Sequence, residues 1–255
     1  MTKILFLLVF LLFVSCTHLP ENHSPVTTHS RQLILVLTAS DSSSRAMLHR
    51  FERADSSQPW KSIAAGQPAM IGENGLGWGS GLVKPHFAQL PDKREGDGRS
   101  PAGEFTLGSA FGFAPETQMR GLKIPYFQVT DSLECVDDAR SKNYNRILRG
   151  KDAGSVDWRS SEKMWKIDPQ YRLGVVVNFN TDPPKAGAGS CIFLHVWDSP
   201  GVSTSGCTAM APEQMREMVF WLDEEKKPLL VQLTESLYQK LKKDWGLPEI
   251  AALNN

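Results

Sequence analysis

Cys207 stands between Gly206 and Thr208, in the stretch IFLHVWDSPGVSTSGCTAM from Ile192 to Met210, a short loop after His195. A thiol and an imidazole this close in sequence are the parts of a nucleophilic catalyst, the thiolate attacking and the imidazole carrying its proton. Strand alternation in "CIFLHVW" places Ile192, Leu194 and Val196 on one face, and Cys191, Phe193, His195 and Trp197 on the other. An imidazole on that second face is either hydrogen-bonded in the core or turned into a cleft. The turn-forming "DSPGVSTSG" then returns the chain and sets Cys207 just before a helix that begins near Pro212. A helix N-terminus and an imidazole both lower a thiol pKa, so a thiolate is expected. Gly206 allows close backbone approach, and the N–H groups of Gly206 and Cys207 are candidate donors to an oxyanion. On these residues alone, a catalytic pair and a packed Cys and His are equally supported.

Other chemistries fit less well. "GVSTSG" lacks the second glycine of a Gly-x-Ser-x-Gly elbow. A zinc site would need further ligands at regular spacing, and neither a Cys-x-x-Cys nor a His pair is present. The glycines from Gly72 to Gly81 are not followed by Gly-Lys-Ser/Thr or by a helix, so a tight loop with positive φ angles is expected there instead of a phosphate cradle. Lys and Arg total 28 against 28 Asp and Glu, and no basic stripe with interleaved aromatics appears. Nucleic acid is therefore not an expected partner.

The chain opens "MTKILFLLVFLLFVSC". Its apolar run from Ile4 to Val14 would rise about 16 Å as a helix, short of a hydrocarbon core about 30 Å thick. Residues 1–15 therefore read as a signal peptide, and the "FVSC" ending resembles a lipoprotein box with Cys16 as the lipid-attachment residue. Export to the periplasmic face, with a lipid anchor in the outer membrane, is the expectation. Residues 16–31 are polar and Pro-containing, a flexible tether. With Cys16 lipidated, Cys135, Cys191 and Cys207 remain. One bridge, Cys135–Cys191, is arithmetically open, but two buried, unpaired small apolar residues are the favoured reading.

The body, 32–235, alternates short apolar runs with turn residues, at 41% hydrophobic and 22% charged. "QLILVLT", "AMLHRFERA", the strand from Glu104, "YRLGVVVNFN", "CIFLHVW" and "KPLLVQLT" read as strands. Ala139 to Gly154 holds a short helix or loop. In "APEQMREMVFWLDEE" Pro212 sits in the first helical turn, and Met215, Met218, Val219 and Leu222 line one face. A second short helix, "ESLYQKLKKDWG", is expected, and the C-terminal helix and tail together take up 236–255. The fold class is mainly β with α additions.

"HVWDSPGVSTSGC" resembles the signature of the L,D-transpeptidase (YkuD-like) family: a histidine, a loop, then Ser/Thr-x-Gly-Cys. "GDGRSPAGEF" resembles that family's Thr-Pro-x-Gly-x-Phe segment, with Ser100 in the threonine position. "ECVDD", Tyr144-Asn145, "GVVVNFN" and "GAGSCIFLHVW" resemble, in order, blocks of one exported branch, so the likeness spans about residues 32 to 235. Two positions depart from the common family ending: Ser205 stands where a His precedes Gly-Cys, and Ala209 where Arg or Asn follows. The resemblance implies a β-sandwich of mixed sheets with a few helices.

It also implies a cysteine-dependent acyltransferase acting on peptidoglycan stem peptides. Cys207 attacks the carbonyl of the third stem residue, and His195 takes the thiol proton and gives it to the departing D-alanine amine. An amine from a neighbouring stem then resolves the thioester into a cell-wall cross-link. The chemistry needs no metal or cofactor. The alternatives are an L,D-carboxypeptidase or hydrolase with the same dyad, in which water resolves the thioester, and a non-catalytic cell-wall-binding lipoprotein. Ser205, Trp197, Arg99 and Tyr144 are candidate substrate-binding residues, Tyr144 and Trp158 as parts of a lid. Asp137 and Asp138 read as solvated or capping residues.

Overall fold

The computed structural model describes residues 29–79, 84–150 and 154–250. The expected leader, Cys16 and most of the tether lie outside them. The chain begins with β1 (Gln32–Thr38), β2 (Arg45–Glu52), β3 (Lys61–Met70) and β4 (Leu76–Trp78), followed by the long β5 (Ser100–Gly112) and β6 (Tyr126–Gln128). Next come β7 (Leu133–Val136), β8 (Ile147–Arg149) and β9 (Ser161–Lys163), then β10 (Leu173–Val177), β11 (Phe193–Val196) and β12 (Thr208–Met210). Helix α1 (Pro212–Trp221), β13 (Leu229–Thr234) and α2 (Glu235–Leu241) complete it.

Pairing runs β10-β11-β12-β3-β2-β1-β13-β5, and β5 pairs with β10 again, so these strands form a closed ring. Closure satisfies backbone groups that an edge would leave open. A mainly β protein was expected, and the ring is mainly β. Its hydrogen bonding describes one closed eight-stranded sheet. The pairing is mixed: β1–β13 and β11–β12 are parallel, and the other ring contacts antiparallel. A separate three-stranded sheet, β8-β7-β9, carries the middle of the chain. Ala139 to Gly154, read as helix or loop, contains β8 and turns.

Every residue of β1 and β13 is buried, the polar Gln32, Thr38, Gln232 and Thr234 among them. Met215, Met218, Val219 and Leu222 meet the main core as the helical spacing demands. Leu237, Tyr238, Leu241, Trp245 and Leu247 belong to that same core, so the expected C-terminal helix packs into the body. The Gly72–Gly81 segment departs from its expectation. It is part strand, and of its described glycines only Gly75 has positive φ, at 79°. Gly72 is required by crowding: a Cβ there would lie 2.4 Å from the Gly98 carbonyl oxygen.

Cys135 and Cys191 form a disulfide, with Cα atoms 6.0 Å apart. The expectation of two unpaired cysteines is thereby corrected. Neither residue's neighbours in sequence show that β7 lies over the start of β11. The bridge fastens the small sheet to the ring across a sequence separation of 56 residues. Loop closure of that length stabilises a fold by roughly 2–4 kcal/mol through the unfolded chain. Reduction with dithiothreitol is expected to lower urea-unfolding stability by about that amount, with proteolytic nicking first in the segment from β7 to β9. An unchanged urea midpoint would mean that the bridge does not constrain the chain.

Candidate active site

The alternation in β11 falls as the sequence requires. Ile192, Leu194 and Val196 enter the main core, while Cys191 and Phe193 join a second cluster that contains Cys207. Strand β12 runs parallel to β11 with Leu194 opposite Thr208 and His195 opposite Ala209. Cys207, two residues before Ala209, therefore shares the face of His195, displaced diagonally along the neighbouring strand. Both line one cavity of about 740 Å³, together with Lys93, Glu95, Asp137 and Glu162. No hydrogen bond joins the sulfur to the imidazole among the described residues.

The backbone of Cys207 is held from behind. Ser100 Oγ accepts the Gly72 N–H at 2.9 Å and donates to the Cys207 carbonyl at 3.0 Å, and Ser100 is fully buried. Thr204 Oγ1 donates to the same carbonyl at 2.6 Å. Gly206 lies close against the Arg99 carbonyl: a Cβ on it would stand 3.0 Å from that oxygen. Close approach was the expected reason for glycine there. Yet the Gly206 N–H already donates to Thr204 Oγ1 at 3.1 Å, so of the two expected oxyanion donors Gly206 is committed elsewhere.

The sulfur itself receives the Phe193 N–H at 3.3 Å and donates its proton to the Cys191 carbonyl at 3.4 Å. Burial, reinforced by the Glu162 carboxylate, raises the thiol well above its ordinary pKa, against the opposing pull of the Phe193 N–H, Lys93 and Tyr171. The expected thiolate is thus a resting thiol. Helix α1 begins only after β12 has intervened, and the backbone groups that the sulfur meets belong to Cys191 and Phe193.

His195 is buried, which pushes its pKa down to about 4. Its Nδ1 lies 2.7 Å from the Val196 carbonyl, the geometry of an Nδ1–H donor, which leaves Nε2 as the basic nitrogen. The ring packs edge-on against Tyr171, with centroids 5.5 Å apart. Tyr171 in turn packs edge-on against Phe111 and Phe193, which meet each other at 5.2 Å. This aromatic cluster fixes the imidazole and the phenol together.

Of the remaining expected site residues, Ser205 lines the cavity and is exposed. Arg99 does not line it: Nη1 donates to the Asn74 and Leu76 carbonyls at 2.6 and 3.1 Å, bracing the turn beside Ser100. Tyr144 is no lid. It is buried, donates to Glu95 Oε2 at 2.5 Å and accepts the Gly189 N–H at 3.1 Å, which orients a carboxylate of the cavity wall. Trp158 is also buried, its Nε1 on Glu134 Oε2 at 3.1 Å. Trp197 is half-buried and outside the cavity lining. Asp138 caps as expected, accepting the Arg140 and Arg159 N–H groups, but Asp137 turns into the cavity with Oδ1 buried and unpartnered.

The sequence reading did not find Glu162, Tyr171, Glu95 or Lys93. Glu162 and Tyr171 lie in short elements with no motif, and Glu162 reaches the cavity of Cys207 from the small sheet that the disulfide tethers. Compared with known proteins, the chain matches no family model, no curated protein and no solved structure.

Ser100→Ala removes the acceptor of the buried Gly72 N–H and one support of Cys207. The expected cost is about 1–3 kcal/mol, read as a lower urea midpoint. Stability equal to wild type would mean that water replaces the hydroxyl.

Proposed function

We propose that the protein is an exported, cysteine-dependent L,D-transpeptidase of the YkuD-like family that cross-links peptidoglycan stem peptides. One observation carries the reading: an unpaired cysteine and a histidine, on one face of adjacent strands, open into one cavity while the other two described cysteines are bridged. The ordered family-like blocks support it as well, since two of them sit at the site. Ser100 of "GRSPAGEF" holds the Cys207 carbonyl, and Asn145 of "YN" accepts the Cys191 N–H at 2.8 Å. A YkuD-like arrangement of mixed sheets is the corresponding proposal for the fold.

In the proposed reaction the Cys207 sulfur attacks the third-residue carbonyl of a tetrapeptide stem, and the D-alanine amine leaves with a proton, giving a thioester. The incoming amine then attacks the thioester carbonyl. His195 Nε2 takes a proton from that amine and returns it to the departing sulfur. The same site performs carboxypeptidase chemistry when water is the acceptor. A wall-binding role without catalysis has no use for an intact Cys207 and His195.

The deciding assay incubates soluble protein from Thr17 onward with purified disaccharide-tetrapeptide and weighs the products. A dimer lacking one D-alanine is expected with wild type, none with Cys207→Ala, and at least a hundredfold less with His195→Ala, a loss in the range of general acid–base catalysis. Tripeptide without dimer would make the protein a trimming peptidase. Turnover by Cys207→Ala would refute the mechanism.

We also propose lipidation at Cys16 and anchoring to the periplasmic face of the outer membrane. Cys16→Ala is expected to release the protein into the soluble fraction with catalysis in vitro unchanged; persistent membrane fractionation would remove the anchor.

A further inference from the structure

Asn145 at φ 59° and Cys191 at φ 54° both have left-handed backbone, and they are hydrogen-bonded to each other. A cysteine does not adopt this region freely, so its surroundings impose the conformation. The Cys191 N–H donates to Asn145 Oδ1 at 2.8 Å, its sulfur is bridged to Cys135, and its carbonyl receives the Cys207 S–H at 3.4 Å. Asn145 is itself fixed at both ends. Its N–H donates to the Val136 carbonyl at 2.8 Å, next to Cys135. Its side-chain amide donates to the Phe179 and Asn180 carbonyls at 2.8 and 2.7 Å, just past the end of β10. Two attachments, one from β7 and one from the turn between β7 and β8, thus converge on the residue whose carbonyl meets the sulfur.

We propose that this convergence positions the nucleophile. Asn145 and the Cys135–Cys191 bridge hold the Cys191 carbonyl where it fixes the Cys207 side chain for attack. Both are positioning groups for acyl-enzyme formation, and full activity requires the bridge. The inference rests on Cys207 being the nucleophile of the proposed reaction. Ser100 and Thr204 already hold the Cys207 carbonyl, which leaves rotation about its Cα–Cβ bond to be fixed. The Phe193 N–H at 3.3 Å and the Cys191 carbonyl at 3.4 Å, from residues on one face, hold the sulfur between a donor and an acceptor. One staggered well of three is thereby selected. Phe193 is pinned through its ring by Phe111 and Tyr171. Cys191 precedes β11 and has no ring to pack, and is held by Asn145 and Cys135 instead.

The size of the effect follows from what is freed. A thiol released into all of its staggered wells loses about threefold in the population of the attacking one. A sulfur displaced by about 1 Å loses about a hundredfold. Removing the Asn145 side chain or the bridge lies between these, at roughly tenfold. The loss falls on kcat and spares KM, because neither Asn145 nor Cys135 lines the cavity in which substrate would sit.

The test reads the S–H stretching band by Raman spectroscopy, which requires no peptidoglycan, alongside kcat and KM on disaccharide-tetrapeptide. In protein from Thr17 onward Cys207 is the free thiol, so the band reports on it alone. Wild type is expected to show one narrow band at the lowered frequency of a hydrogen-bonded donor. Asn145→Gly removes the side chain at a backbone conformation that glycine tolerates. The double variant Cys135→Ser with Cys191→Ser removes the bridge and still leaves one thiol. Each is expected to broaden the band and raise its frequency, and to lower kcat about tenfold with KM within about twofold. Asn145→Asp keeps an oxygen for the Cys191 N–H and recovers part of both losses. If the bridge variant does not fold, Asn145→Gly decides the matter. An unchanged band in a folded variant overturns the proposal, and so does a kcat loss without a band shift, which would make these groups structural only. Absence of stem-peptide turnover in wild type, with the band lowered there and raised in the variants, would instead overturn the peptidoglycan reading and leave the positioning of the sulfur standing.

Discussion

The pairing of β5 with both β13 and β10 is the constraint on which the structure depends. Gly103 to Thr106 pair with β13, and Leu107 to Gly112 pair with β10, so one continuous strand closes the ring. β10 fixes β11, and β11 fixes the parallel β12. The relative placement of His195 and Cys207 is therefore a property of the closed sheet, although a loop of turn residues connects them. The start of β5 also reaches the site directly, because its first residue is Ser100, under the Cys207 carbonyl.

Much of this was legible in the chain. The period of two in "CIFLHVW" separated core from cavity residues, and the three- and four-residue spacing after Pro212 marked the buried face of α1. Those patterns are local, and burial follows them directly. What escaped was set by partners distant in sequence. Arg99 and Tyr144 have side chains suited to binding a ligand, but each finds carbonyls or a carboxylate of the protein first. Asp137 looked like a loop residue because its burial depends on where the small sheet is tethered. The thiol's protonation was misjudged for a related reason: a helix begins a few residues later in sequence, but a strand lies between it and the sulfur.

The site is consequently a buried one in which charge is costly and proton position matters. Thiol, imidazole and carboxyl all have pKa values displaced toward their neutral forms by desolvation. The thiol and the imidazole of the pocket are therefore both neutral at rest. The pocket is ordered by hydrogen bonds: a phenol fixed on the Glu162 carboxylate on one side, an imidazole held by the Val196 carbonyl on the other.

Cys191 has a left-handed backbone conformation, its sulfur is in the disulfide, and its carbonyl receives the Cys207 S–H. Disulfide exchange proceeds through a thiolate, whose population falls tenfold for each unit of pKa above ambient pH. A protonated Cys207, with its hydrogen directed at a carbonyl of the very residue whose sulfur is bridged, is a poor attacker of that bridge. The arrangement lets a free thiol sit beside a disulfide in the form least able to scramble it.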